Sequence, residues 1–221
     1  MVRCKRFDSR EEWLKGRKTI GGSDIAAVLG ESPWMSNVDL WRLKTGRAEP
    51  KDLSRNELVV YGQKAEELLR DLFALDFPQY TVGYFPENMW TNDQMPYAHA
   101  SLDSWLIDQD DRFGVLEIKT VTIQRSGQWK EWDNRMPQHY YLQLLWEMAV
   151  TEAEFGILLA QLKSVRDDDV LKVTKHYFVE RAEVEDDILE VMRAGAEFWE
   201  YVKNDIDPPL SLPDPFERKE F

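Results

Sequence analysis

The sequence predicts an α/β (α+β) chain in which a set of strands is flanked by helices. Two observations carry this. Segments with helical and strand periods follow one another as helices, three strands, a helix, two strands and a closing helix. The 221 residues, 43% hydrophobic and 12% aromatic, are enough to bury a sizeable core. We read residues 1–221 as a single domain. It has a helical segment over 1–76, a strand-rich core over 77–180, and a helix with a tail over 181–221.

From the N-terminus, Ser9 to Gly16 reads as a short helix, with Ser9 as N-cap and Glu11 and Glu12 in its first turn. Next comes Ile20-Gly-Gly-Ser-Asp-Ile-Ala-Ala-Val-Leu-Gly30. Gly21 and Gly22 make a turn, Ser23 is read as the N-cap of a helix over 24–29, and Gly30 ends it. Such a start could receive a phosphate, or could simply be a capped helix. Glu31 to Trp34 is a turn, Asn37 to Thr45 a helix stopped at Gly46, and Arg47 to Arg55 a polar linker. Asn56 to Leu75 carries apolar residues at three- and four-residue steps, so it is a long amphipathic helix. Gly62 and Glu66 share one of its faces, and a mid-helix glycine is worth keeping where another backbone or a ligand comes close.

Tyr80 to Trp90 reads as a strand, and Met95 to Ala100 leads into a second strand carrying Asp103. The run Asp108-Gln-Asp-Asp-Arg-Phe-Gly114 turns that strand into a third, Leu116-Glu-Ile-Lys-Thr. Thr122 to Arg135 is a polar–aromatic loop suited to binding, where Trp129 and Trp132 stack on bases or pack inward. Pro137 opens the next helix, in which Gln143 lies near the apolar face and needs a partner. Phe155 to Leu162 and Leu171 to Val179 are two further strands, joined by Lys163 to Asp169. Glu183 to Lys203 is an amphipathic helix, and a Pro-rich tail follows from Asp205.

Composition narrows the chemistry. One cysteine, Cys4, excludes a disulfide framework and a cysteine-built zinc or iron–sulfur site within the chain. The start is charged and unlike a signal peptide, and no apolar run is long enough for a membrane span, so a cytoplasmic protein is expected. His99, His139 and His176 lack zinc-type spacing. The net charge of −13 argues against indiscriminate nucleic-acid binding. It is unevenly spread: +3 over residues 1–50, −7 over 51–151 and −9 over 152–221. Phosphate contacts, if made, belong to the N-terminal segment.

The chemistry concentrates in the hairpin. Strand alternation puts Glu117 and Lys119 on one face and Ile118 on the other, opposite Asp103. Two carboxylates beside an ammonium suit a hard metal ion with a charge-stabilising or base lysine. An ordinary surface Glu–Lys pair has the same spacing.

The order of the motifs decides between them. An IGGSDIAAVLG segment is followed by YGQKAEE, ASLDSWL, LEIKT and PQHYYLQLLWEMAV. From about Trp13 to Val150 this resembles the YqaJ-type phage recombinase exonucleases, the lambda exonuclease family of the PD-(D/E)xK nuclease superfamily. The resemblance implies a central mixed β-sheet flanked by helices, a restriction-endonuclease-like core. It implies metal ligation by Asp103, Glu117, Glu66 and the Ile118 carbonyl. It also implies a catalytic Lys119, with Gln143 beside it, and a grip on a DNA 5′-phosphate by Ser23 and Arg17. The implied activity is a Mg2+-dependent exonuclease, with Mn2+ as a substitute. It would run 5′ to 3′ on the ends of linear double-stranded DNA and leave 3′ overhangs for a single-strand annealing protein. A ring-shaped homotrimer in a phage or prophage setting, with no membrane association, belongs to the same expectation. The alternatives on the same fold are a restriction- or nicking-type endonuclease and a non-catalytic DNA-end-binding protein. The chain departs from the family pattern at Leu102, where a proline is usual, at Leu145, where a second glutamine is common, and in the spacing of Arg17 from Ile20.

Overall fold

The computed structural model describes residues 1–166 and 169–212. Residues 167–168 and the part of the Pro-rich tail beyond residue 212 lie outside it.

A five-stranded mixed sheet organises the chain, in the order β2 (Thr81–Gly83), β4 (Ser104–Ile107), β5 (Phe113–Thr122), β6 (Phe155–Arg166), β7 (Asp169–Glu180). β4 and β5 form the expected antiparallel hairpin, with Ser104 opposite Leu116. β5 and β6 run parallel, because the helix α5 (Gln138–Thr151) carries the chain back between them. β6 and β7 close antiparallel as a hairpin longer than the sequence suggests. Backbone pairing there extends past the apolar stretch to Val165, Val170 and Leu171, whose side chains are exposed.

Alternation along the strands sorts the core onto two faces. Leu116, Ile118, Ile157 and Leu159 pack on one face against Ala65, Leu69 and Phe73 of α4 (Glu57–Asp76). Val115, Leu158, Ala160 and Leu162 face the other way, toward α2 (Gly22–Val28), α3 (Asn37–Lys44), α5 and α6 (Arg181–Asn204). α5 is buried almost all round, including Leu142, Leu144, Leu145, Trp146 and Met148. It is the central helix of that layer. Gly62 of α4 meets β5, where an added Cβ would lie 3.1 Å from Thr120 Oγ1. The mid-helix glycine thus allows the close approach that its position suggested.

Two local expectations are corrected, and one strand is added. The strand expected over Tyr80 to Trp90 is broken at Pro86 and at Glu87, which has φ of 49°. Its halves join different sheets: β2 enters the main sheet, while β3 (Asn88–Asn92) pairs with β1 (Val2–Arg6). β1 itself lacks an apolar alternation, since four of its five residues are exposed, and backbone pairing alone defines it. Ser23 is not an N-cap. α2 begins at Gly22 with Gly21 as N-cap, and Asp24 accepts from Gly21 N at 2.9 Å. Asp24 also pairs with Lys44 at 2.7 Å. A carboxylate thus already stands at the positive end of this short helix.

Buried Asn88 sets the path of the chain into the hairpin. Its Oδ1 accepts from Leu102 N at 2.9 Å, and its Nδ2 donates to Leu102 O and Phe85 O, both at 2.8 Å. Leu102 therefore finds in one side chain the backbone partners that a strand would give it. We expect Asn88→Ala to leave both groups of Leu102 unpaired and to cost about 3 kcal/mol. Urea denaturation checks this, and a loss below about 1 kcal/mol would mean that water replaces the clamp.

Candidate active site

The site forms where β4 stops and β5 continues. Asp103 stands one residue before Ser104, the last ladder partner of Leu116, so it lies level with Glu117 across the hairpin. It folds back on β5, where Asp103 Oδ2 accepts from Ile118 N at 2.8 Å. Ile118 turns its N–H, and with it its C=O, toward the edge that β4 leaves open.

Glu117 and Lys119 lie on the α5 face, as alternation requires, and are ion-paired with each other. Gln143 Nε2 donates to Glu117 Oε1 at 2.7 Å and to Glu147 Oε1 at 2.9 Å, so both amide hydrogens are used. Lys119 Nζ also lies 5.3 Å from the Tyr140 ring centroid. From the opposite layer, Arg70 of α4 pairs with Glu66 at 2.9 Å and donates to Asp103 O at 3.1 Å and Ser104 Oγ at 2.8 Å. The structure therefore brings Glu66, Asp103, Glu117, Lys119 and Gln143 to one place, with the Ile118 backbone among them.

Arg17 precedes α2 and Ser23 lies within it. The Arg17 guanidinium lies 4.6 Å from the Trp13 ring centroid. Desolvation by burial favours its neutral form, against the attraction of Asp24. Ser23 is exposed in the first turn of α2. α2 is seated on α5 through Gly22, where a Cβ would come 2.8 Å from Glu147 Oε1. A side chain at position 22 would push Ser23 away from the Gln143 end of the site. Trp132 is 1% exposed and its carbonyl accepts from Lys175 Nζ and Tyr177 Oη, so it packs inward and does not present a face to bases.

Three participants escaped sequence reasoning. Glu147 is 1% exposed, a carboxyl among Leu144, Leu145, Trp146 and Met148. Its signal was available: it lies four residues after Gln143 on an otherwise apolar helix, where a carboxyl must find a partner. Arg70 has the same four-residue relation to Glu66. Asn88 has no such signal, because its partner Leu102 is distant in sequence. Leu145, at the place of the second glutamine, is fully buried in the core.

The electrostatics follow from crowding. Burial, then Glu117 and Glu66, push the Asp103 carboxyl well above the usual carboxylate range. Burial and Glu117 do the same to Glu147. Burial also raises Glu66, against the attraction of Arg70. For Lys119, desolvation favours the neutral amine, but Glu117 and Asp103 outweigh it and hold the proton more tightly than usual. Buried Glu117 Oε2 and Glu147 Oε2 have no hydrogen-bond partner.

Residues 12–154, well over half of the chain, match the family described as the YqaJ-like viral recombinase domain. The chain belongs to this family. It is 27% identical over 204 residues to the uncharacterised protein YqaJ of Bacillus subtilis (strain 168), covering 86% of this chain but only 56% of that relative. Solved structures share the fold at lower identity. The alkaline exonuclease LHK-Exo of Laribacter hongkongensis superposes with a TM-score of 0.62 at 15% identity, covering 88% of this chain and 93% of that one. A phage-related exonuclease of Haemophilus somnus 129PT gives 0.54 at 13% identity, covering 85% and 96%. The YqaJ-like domain here thus has the expected mixed sheet flanked by helices. Among the described residues, no helix is long and apolar enough to cross a membrane.

The raised Asp103 carboxyl has a sign that can be checked. A folded-state pKa above the unfolded one stabilises the fold below the unfolded pKa. That contribution is lost as pH rises through the folded value. Asp103→Asn stays neutral and can still accept from Ile118 N. In chelator-treated protein at pH 7–8 the variant should therefore melt higher than the parent, by roughly 2–4 °C for each kcal/mol of repulsion removed. The gap should narrow toward pH 4. Equal melting temperatures across that range would show that Asp103 is not held in a repulsive cluster.

Proposed function

We propose that this YqaJ-like domain is a Mg2+-dependent DNA exonuclease, with Mn2+ as a substitute. It acts 5′ to 3′ on linear duplex and leaves 3′ overhangs for an annealing partner. The observation that carries this is the Asp103–Glu117–Lys119 arrangement on the open edge of β5, tied to α5 through Gln143. Family membership and the fold shared with two exonucleases support it.

The fit to a divalent cation rests on two features of the chain. Glu117 Oε2 is buried with no hydrogen-bond partner, and the neighbouring carboxylates repel one another. Among the described residues, no three acidic, imidazole or thiol side chains group closely enough to hold an ion by themselves. Asp103 and Glu117, with the Ile118 carbonyl and water completing the shell, suit Mg2+. That ion keeps several waters and takes one or two carboxylates. When bound, the ion supplies Lewis-acid stabilisation of the charge that develops on the phosphate and the leaving 3′ oxygen.

The side chains divide the remaining work. Lys119 keeps its proton, so it holds the attacking water and a phosphate oxygen by charge and hydrogen bonding. Gln143 fixes the Glu117 carboxylate through Nε2, which leaves its own Oε1 as an acceptor. Arg70 anchors Glu66 and the Asp103 carbonyl, which keeps the α4 side of the site in register. Arg17 and Ser23 receive the 5′-phosphate at the start of α2.

Lys119→Ala should lower the single-turnover rate by about a hundredfold or more while changing DNA affinity far less. Equal losses in both would make Lys119 a phosphate contact only. The overall reading is tested with end-labelled linear duplex and closed circular DNA, with and without Mg2+. Linear DNA should be shortened from 5′ ends, the circle spared, and 5′-phosphate ends preferred over 5′-hydroxyl ends. Arg17→Ala with Ser23→Ala should reduce that preference more than it reduces binding. Cutting of the circle would indicate an endonuclease, and no Mg2+-dependent cleavage would sink the reading.

A further inference from the structure

One aromatic group is left over by the site as described. Trp34, in the turn between α2 and α3, is 64% exposed, well above any other exposed aromatic residue among the described ones. Leaving an indole in water forfeits one of the largest apolar burials a side chain can offer. The ring is nevertheless held: it stands edge-on to His139, with centroids 5.0 Å apart at 84°, and 6.4 Å from Tyr140. His139 and Tyr140 are 4.0 Å apart, and Tyr140 is 5.6 Å from buried Trp132. A row of rings thus runs from the core to the solvent. It passes Lys119, whose Nζ is 5.3 Å from the Tyr140 centroid.

The placement suits a base. His139 and Tyr140 occupy the turn of α5 before Gln143, about 5 Å along the helix axis at ~1.5 Å per residue. That is one to two nucleotides at a rise of ~3.4 Å per strand step. A base inside a duplex has both faces covered, so only an unpaired or terminal base can offer one. Stacking also needs no positive charge, which matters for a chain of net charge −13.

We propose that Trp34, backed by His139 and Tyr140, is a stacking platform for an unpaired nucleobase of the strand held at Lys119, one or two nucleotides from the bond that is cut. This rests on the nuclease reading of the site. It adds a base-binding subsite that is tolerant of sequence.

The test is equilibrium binding of a short 5′-phosphorylated single strand, followed by fluorescence anisotropy in EDTA so that nothing is cut. The intact strand is compared with one made abasic at its first three nucleotides, for the unaltered protein, Trp34→Ala and Trp34→Phe. The unaltered protein should bind the intact strand about 5- to 100-fold more tightly. Trp34→Ala should bind both strands alike, at the abasic level, and Trp34→Phe should restore most of the difference. The proposal is overturned if Trp34→Ala keeps the full discrimination, if it loses affinity equally for both strands, or if the unaltered protein does not discriminate. Digestion of linear duplex in Mg2+ separates the two claims. Cleavage without base discrimination removes the platform alone, and discrimination without cleavage removes the nuclease reading alone.

Discussion

Repulsion among partly buried carboxylates governs this structure. Glu66, Asp103, Glu117 and Glu147 converge from α4, the β4–β5 hairpin and α5, against Lys119 and Arg70. Two unit charges 4 Å apart repel by about 4 kcal/mol at an effective dielectric near 20. That exceeds the roughly 1 kcal/mol net gain of an ordinary hydrogen bond. Such a cluster persists only if protons or a cation relieve it. The raised carboxyls of Asp103 and Glu147 show the first kind of relief, and the unpartnered Glu117 Oε2 leaves room for the second. Much else in the fold holds these groups together. Asn88 directs the chain into Asp103, Gly62 and Gly22 let α4 and α2 approach, and Gln143 bridges Glu117 to Glu147.

The acidity of the chain and its proposed substrate are compatible because charge and grip are separated. The N-terminal segment, at +3, supplies Arg17 and the start of α2, while the last seventy residues carry −9 and include all of α6. A duplex would be attracted to the basic stretch and repelled by the acidic one. Contacts that do not depend on charge then gain weight, as do backbone and amide groups near α5.

Much of this was legible in the sequence, and what was missed has physical causes. The hairpin was readable because Asp108 to Gly114 is a run of turn residues between two alternating strands, and the face shared by Glu117 and Lys119 followed from a period of two. Helix periodicity likewise found α4, α5 and α6. β1 was invisible because its charged residues are exposed and only its backbone is paired. The break at Glu87 was missed because a left-handed glutamate leaves no trace in hydrophobic pattern. Ser23 was placed at the cap because serine is a better N-cap than glycine, yet the helix starts two residues earlier, with Gly21 as N-cap and its N–H taken by Asp24. Long-range polar clamps such as Asn88 on Leu102 stay hidden, since nothing local distinguishes them from surface amides.

The central claim is that Asp103 and Glu117 form a cation site that Lys119 and Gln143 complete. The most direct measurement is Mn2+ titration followed by electron paramagnetic resonance, comparing the unaltered protein with Glu117→Gln. The amide keeps the shape and loses the charge. The account predicts saturable Mn2+ binding to the unaltered protein and at least a tenfold weaker affinity in the variant, about 1.4 kcal/mol. Equal affinities, or no saturable binding by either protein, would contradict it.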